Sequence, residues 1–180
     1  MSAEKTATDL RFPIGKFDPA AYASRAENIN TIANLPADLK IAVRDLSDEQ
    51  LDTPYRDGGW TLRQTVHHIA DSHINSFCRF KLALTEEMPT IRPYLEDKWA
   101  ELSDSKLSID VSLSIIEGVH TRWGELLRTM SDEDFARRLL HPETGQWTLE
   151  QMTGLYAWHS RHHTAHITST RERFDWIFAE

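Results

Sequence analysis

A stretch of this chain is written twice. Trp60-Thr61-Leu62-Arg63-Gln64 returns 87 residues later as Trp147-Thr148-Leu149-Glu150-Gln151, and Ser47-Asp48-Glu49-Gln50-Leu51 returns 84 residues later as Ser131-Asp132-Glu133-Asp134-Phe135. Thr61 with Gln64, and Thr148 with Gln151, have the spacing of a capping box, in which a hydroxyl and an amide three residues apart satisfy two free backbone N–H groups at a helix start. Two echoes in the same order at nearly the same offset predict two copies of one unit: a helix, a short capped turn, a loop and a second helix. The chain is therefore expected to be all-α, a pseudo-symmetric four-helix bundle in one domain spanning 1–180.

Apolar spacing outlines the four helices. The first is expected from Asp18-Pro19, on Ile29, Ile32, Leu39, Val43 and Leu46, with Pro36 bending or splitting it. The second opens at Thr61 and carries Leu62, Val66, Ile69, His73, Phe77, Phe80 and Leu84 on one stripe. The third runs from about Asp110 to Met130, and the fourth from Thr148 to about Phe174. Residues 86–109 hold Pro89 and Pro93 and keep no sustained period. They read as a long crossover between the second and third helices, with one short helical piece near Trp99. Residues 1–17 form an N-terminal extension whose Phe12, Ile14 and Phe17 have no assigned place in the bundle, mild support for a homodimer.

The 180 residues include 28 acidic and 20 basic side chains, a net charge of −8, and one cysteine, Cys78. The acidic balance argues against a nucleic-acid partner, since that affinity comes from clustered Lys and Arg. A lone cysteine excludes an internal disulfide framework and points to a reducing cytoplasm. Cys78, beside Phe77 and Phe80, is expected to pack rather than react. No signal peptide or membrane span is legible.

Histidine is the unusual count, at nine. Two pairs four residues apart lie in the fourth helix, His159/His163 and His162/His166, and either could chelate a metal. The inward stripe there reads Leu149, Met152, Tyr156, His159, His163, Ile167, so the first pair faces the core. The second pair lies on a flank, where one member is expected to be solvated or to support the first. A third ligand should come from the second helix, with His67, His68 and His73 as candidates. Periodicity alone favours His73, because His68 lies on a more polar face. His120 reads as a core residue, and His141, before Pro142, as an exposed loop residue.

At these motifs the chain resembles a known family. Asp52 to Thr61, Val66 to His73, Ile91-Arg92-Pro93-Tyr94 and Leu155 to Ser160 look like the DinB-type metal-dependent bundle enzymes, in particular the YfiT-like branch of metal-dependent hydrolases, which is related to the bacillithiol transferases. The likeness runs from about Phe12 to Ile167. It implies an up-down-down-up helix order, a homodimer, and a metal held by His68, His159 and His163. It thereby overrules periodicity for His68.

Three imidazoles with an open position suit zinc, with nickel as the alternative. Such an ion can activate water for hydrolysis of a small-molecule substrate, or a low-molecular-weight thiol cosubstrate for transfer to an electrophile. Gln64, Asp71, Tyr156 and His162 are the candidate general bases, and no spacing selects one. A non-enzymatic bundle with a closed metal site is the rival, its fourth ligand His162 or Asp71. A zinc-protease helix is disfavoured because Ser160, not Glu, follows His159. No nucleophile elbow, dinucleotide fingerprint or phosphate loop is present.

Overall fold

The computed structural model describes residues 9–19 and 23–177. Four long helices form its body: α1 (Arg25–Val43), then, after the short α2 (Asp48–Leu51), α3 (Leu62–Thr85); and, after the short α4 (Glu96–Ala100), α5 (Ile109–Thr129), followed by the short α6 (Asp132–Ala136) and α7 (Leu149–Arg173). A two-stranded antiparallel hairpin, β1 (Arg138–His141) and β2 (Gly145–Thr148), leads into α7. Both halves thus run helix, short capped helix, loop, long helix. Thr61 and Thr148 close the expected boxes with Gln64 and Gln151, and Ser47 and Ser131 close two more with Gln50 and Asp134.

Side-chain contacts fix the helix directions. Lys40 pairs with Glu117, and Ala33 lies against Gly124, so α1 and α5 run antiparallel. His67 meets Ser112 and His73 meets His120, so α3 and α5 are parallel. Arg25 bonds Glu150 and Arg171 bonds the Ala42 carbonyl, so α1 and α7 are parallel. The order is up-down-down-up. Because α3 and α5 are parallel, the chain must travel back along a helix of 24 residues, about 36 Å, before α5 can start. That is why 86–109 is long. It holds α4 and a 3₁₀ turn at Ser103–Lys106.

Several expectations are corrected. Asp18 and Pro19 are not helical; α1 begins at Arg25 under a capping box of Ser24 with Glu27, and residues 20–22 lie outside the described residues. Pro36 does not split α1, which runs through it. Cys78 is exposed, because Phe77 and Phe80 turn inward on either side of it. His141 is not an exposed loop residue but the half-buried last residue of β1. The hairpin is an element the apolar spacing does not predict, although Gly145, at φ +84°, supplies the left-handed backbone its turn needs. The Phe12–Phe17 segment does have a place: Phe12 packs on His162, and Phe17 on Trp147 and Trp158. Of the three apolar groups there, Ile14 is the one left exposed, at 44%.

The core is in two parts. One gathers Phe77, Phe80, Trp123, Phe135, Leu139 and Leu149; the other gathers Leu35, Leu39, Leu62, Val66, Ile116 and Ile167. His73 on α3, His120 on α5 and the histidines of α7 fall between the two groups, and His67 and His68 lie beside the second. They form a polar layer at mid-height of the bundle.

Candidate metal centre

His68 on α3 and His159 and His163 on α7 converge at this layer. One ring nitrogen from each lies within 4.8 Å of the other two. His68 Nε2 and His159 Nε2 are 3.3 Å apart. Two nitrogens of one tetrahedral zinc shell stand about 3.3 Å apart when each bond is about 2.05 Å, so the spacing fits an ion shared between them. The donor chemistry fits too. Burial pushes the pKa of His68 down to about 4 and holds those of His159 and His163 well below the ordinary histidine value, with the neighbouring rings adding to the effect. Neutral imidazoles keep the lone pairs that ligation requires.

The rings are held by their surroundings. Trp60 leans on His68 with ring centres 4.5 Å apart and reaches His163 at 6.4 Å. Ser72 Oγ lies 3.5 Å from His159 Nε2 and 3.4 Å from the Tyr156 hydroxyl. Behind the cluster, His73 Nε2 is 2.9 Å from His159 Nδ1, and His73 Nδ1 is 2.9 Å from His120 Nε2. His73 is therefore not the third member of the cluster, as periodicity favoured, since both its nitrogens are already paired. His67 turns to α5, where it meets Ser112 and the Leu107 carbonyl. His120 is a core residue as expected, and its Nδ1 lies 2.5 Å from the Ile32 carbonyl.

Both members of the flanking pair are buried, so neither is solvated. Their flank is covered by the N-terminal segment and the 55–60 loop. His162 stacks on Trp158 and His166 on Tyr55. His166 Nε2 is 3.3 Å from the Arg11 carbonyl, and its Nδ1 is 3.3 Å from His163 Nδ1. His162, His163 and His166 also group closely enough to hold an ion, but that grouping shares His163 and strings along a single helix. The carbonyl behind His166 makes this ring a support for His163.

A cavity of about 1160 Å³ opens over the cluster. Trp60, Tyr156, Trp158 and Phe12 give it aromatic walls, and Glu96, Asp97, Lys98 and Glu101, in and just after α4, give it a charged rim. Among the candidate bases, Gln64 is tied at both ends, accepting from Thr61 N–H and donating to the Ala100 carbonyl. Asp71, whose pKa burial raises to about 6, does not line the cavity. Tyr156 and His162 do, and so does Ser72, which the sequence did not single out. No fourth histidine or carboxylate joins His68, His159 and His163 within bonding range among the described residues.

Comparison with known proteins agrees with this architecture. A sequence model of the DinB superfamily matches residues 31–167. Proteins of Bacillus cereus strain 03BB102 and of Bacillus thuringiensis subsp. konkukian are each 56% identical over 171 residues, covering 93% of this chain and 99% of theirs; their names assign them provisionally to the metal-dependent hydrolases. The solved structure of YfiT from Bacillus subtilis superposes with a TM-score of 0.89 at 51% identity, over 93% of this chain and 99% of that one. It is described in the same provisional terms, with an unusual four-helix bundle topology. On these matches, and on the bundle already described, the chain belongs to the DinB superfamily.

Proposed function

We propose that this protein is a metal-dependent hydrolase acting on a small molecule, with its divalent ion held by His68, His159 and His163. One observation carries the reading: three neutral imidazoles, those of His68 and His163 buried and that of His159 half-buried, converge beneath a large cavity, with no fourth protein ligand among the described residues to close the set. Structural sites are closed, whereas catalytic ones keep a position for water or substrate. An ion so held acidifies a weak acid in its free position and polarises a carbonyl.

The chain's own residues do the rest. Trp60, Trp158 and Phe12 exclude bulk water from one side of the cluster. Ser72 and Tyr156, hydroxyl to hydroxyl beside His159, can donate to a substrate oxygen or pass a proton along the wall. Zinc is the expected ion and nickel the alternative, because three imidazoles suit both and availability favours zinc. The family likeness and the lone cysteine support a cytoplasmic, single-domain protein, and no helix among the described residues is long and apolar enough to cross a membrane. A homodimer is supported by the family likeness and by Val111 and Ile115, exposed four residues apart on α5.

The test is turnover. Zinc-loaded protein is offered ester, amide and lactone panels and, separately, small thiols with a haloarene or an epoxide. Hydrolysis that disappears in His68→Ala is the expected result. Thiol conjugation that disappears in the same variant would make the protein a transferase instead, and silence in both arms would leave a metal-binding bundle.

A further inference from the structure

A proline in α1 and two histidines that touch no cavity share one line of contacts. Pro36 has no backbone N–H, so the carbonyl it would have bonded four residues back, that of Ile32, lacks its helical partner. His120 Nδ1 lies on that carbonyl at 2.5 Å. From there the contacts run His120 Nε2 to His73 Nδ1 at 2.9 Å, and His73 Nε2 to His159 Nδ1 at 2.9 Å. Four elements of structure would not align six polar atoms by packing alone, and His73 and His120 are 0% and 1% exposed.

A carbonyl can only accept, so His120 must donate through Nδ1–H. A neutral ring has one N–H, which leaves His120 Nε2 as an acceptor. His73 must then donate from Nδ1 and accept at Nε2. By the same step His159 donates from Nδ1, and its remaining lone pair sits on Nε2, the nitrogen that faces His68. A single fixed acceptor thus dictates three tautomers in series.

We propose that Pro36, His120 and His73 are positioning residues that lock His159 in the Nδ1–H tautomer and so present Nε2 for metal binding. The proposal rests on the reading of His159 as a ligand. It adds that the protein selects this tautomer before any ion arrives. Supports of this kind usually run from a ligand histidine to one carboxylate or carbonyl. Here the carbonyl is freed by a proline in another helix and reached through two further rings.

The experiment is ¹⁵N NMR of histidine-labelled, metal-free protein, paired with zinc affinity from competition with a chelator. In the wild type, His159 should report a protonated Nδ1 and a bare Nε2. His73→Leu should give a mixture of tautomers at His159 and a 10- to 100-fold weaker zinc affinity. His73→Gln, whose amide can both accept from His159 and donate to His120, should recover most of that affinity, which a purely space-filling role would not predict. If His73→Leu does not fold, His120→Leu, which removes the donor to Ile32 and the acceptor for His73, provides the same loss, and His120→Gln, whose amide can still donate to Ile32 and accept from His73, the same recovery. A bare Nδ1 on His159 in the wild type, or a His73→Leu protein with unchanged tautomer and affinity, would overturn the proposal. Failure of the wild type to bind zinc while the expected tautomer is present would count against the metal reading alone.

Discussion

The two halves of the molecule are built on one plan and differ where the chemistry is. With α3 and α7 aligned on their capping threonines, His68 of α3 corresponds to Leu155 of α7, and His159 and His163 of α7 correspond to Ser72 and Ser76 of α3. At these three positions, where one half presents an imidazole, the other presents an apolar or a small hydroxyl side chain. Ser72 lies against His159, and Ser76 is fully buried. A layer of rings needs space across from each ring, and repeating the histidines in both halves would overfill it. The ion pairs differ in a similar way. In the first half buried Arg63 binds Asp48 and Asp52 directly. In the second, the matching position is acidic Glu150, and Arg25 from α1 bridges it to Asp132. The repeat supplies a scaffold, and the departures from it supply the site.

Acid should break the asymmetric layer most strongly. His120 titrates near 4 in the fold because burial disfavours its charged form, against about 6.5 unfolded. Between those values the unfolded chain binds more protons, so stability is full above pH 6.5 and is lost as the pH falls toward 4. With several rings contributing, the melting temperature of metal-free protein should drop by roughly 10 °C or more from pH 7 to pH 5 by circular dichroism. A flat profile would mean that the layer is not closed to water.

The ion pairs come next. Arg63→Ala should cost about 2–3 kcal/mol in urea unfolding, because a buried guanidinium loses two charge-assisted bonds. Arg25→Ala, whose side chain is 37% exposed, should cost about 1 kcal/mol or less. Equal losses would deny that the halves solved the same problem differently.

The paired tryptophans sharpen the comparison further. Trp60 rests on His68, while Trp147 donates to the Thr144 hydroxyl and faces Phe17. Trp60→Ala should weaken zinc affinity roughly tenfold, as loss of a supporting contact does. Trp147→Ala should leave it within about twofold while costing comparable stability. The smallest effect is expected at Asp71, whose carboxyl burial raises to about 6. Its ionisation costs stability as the pH rises from about 4 to 6, so Asp71→Asn should stabilise the fold at pH 7, by less than about 1 kcal/mol once solvent screening is counted.

Much of this was legible beforehand, and the gaps have physical causes. Capping boxes are local, so the starts of α3 and α7 were readable at Thr61 and Thr148. The His159/His163 pair was readable because both fall on the inward stripe of α7. Periodicity tells which side of a helix is buried but not which neighbour it meets. For that reason periodicity favours His73 over His68 as a ligand, and places Cys78 inward with Phe77 and Phe80 although it is exposed. The link from Pro36 to His120 spans two helices and depends on a missing N–H, which no single-helix pattern carries. The cover over His162 and His166 comes from residues near Phe12, far away in sequence.

The central claim is that His68, His159 and His163 hold one divalent ion. Its most direct test is zinc stoichiometry after gentle purification and reloading, measured by elemental analysis on the wild type and on His159→Ala and His163→Ala, with circular dichroism to verify that the helices persist. One ion per chain in the wild type, and well under a tenth of that in folded variants, is the predicted result. Full stoichiometry retained in both variants would contradict it.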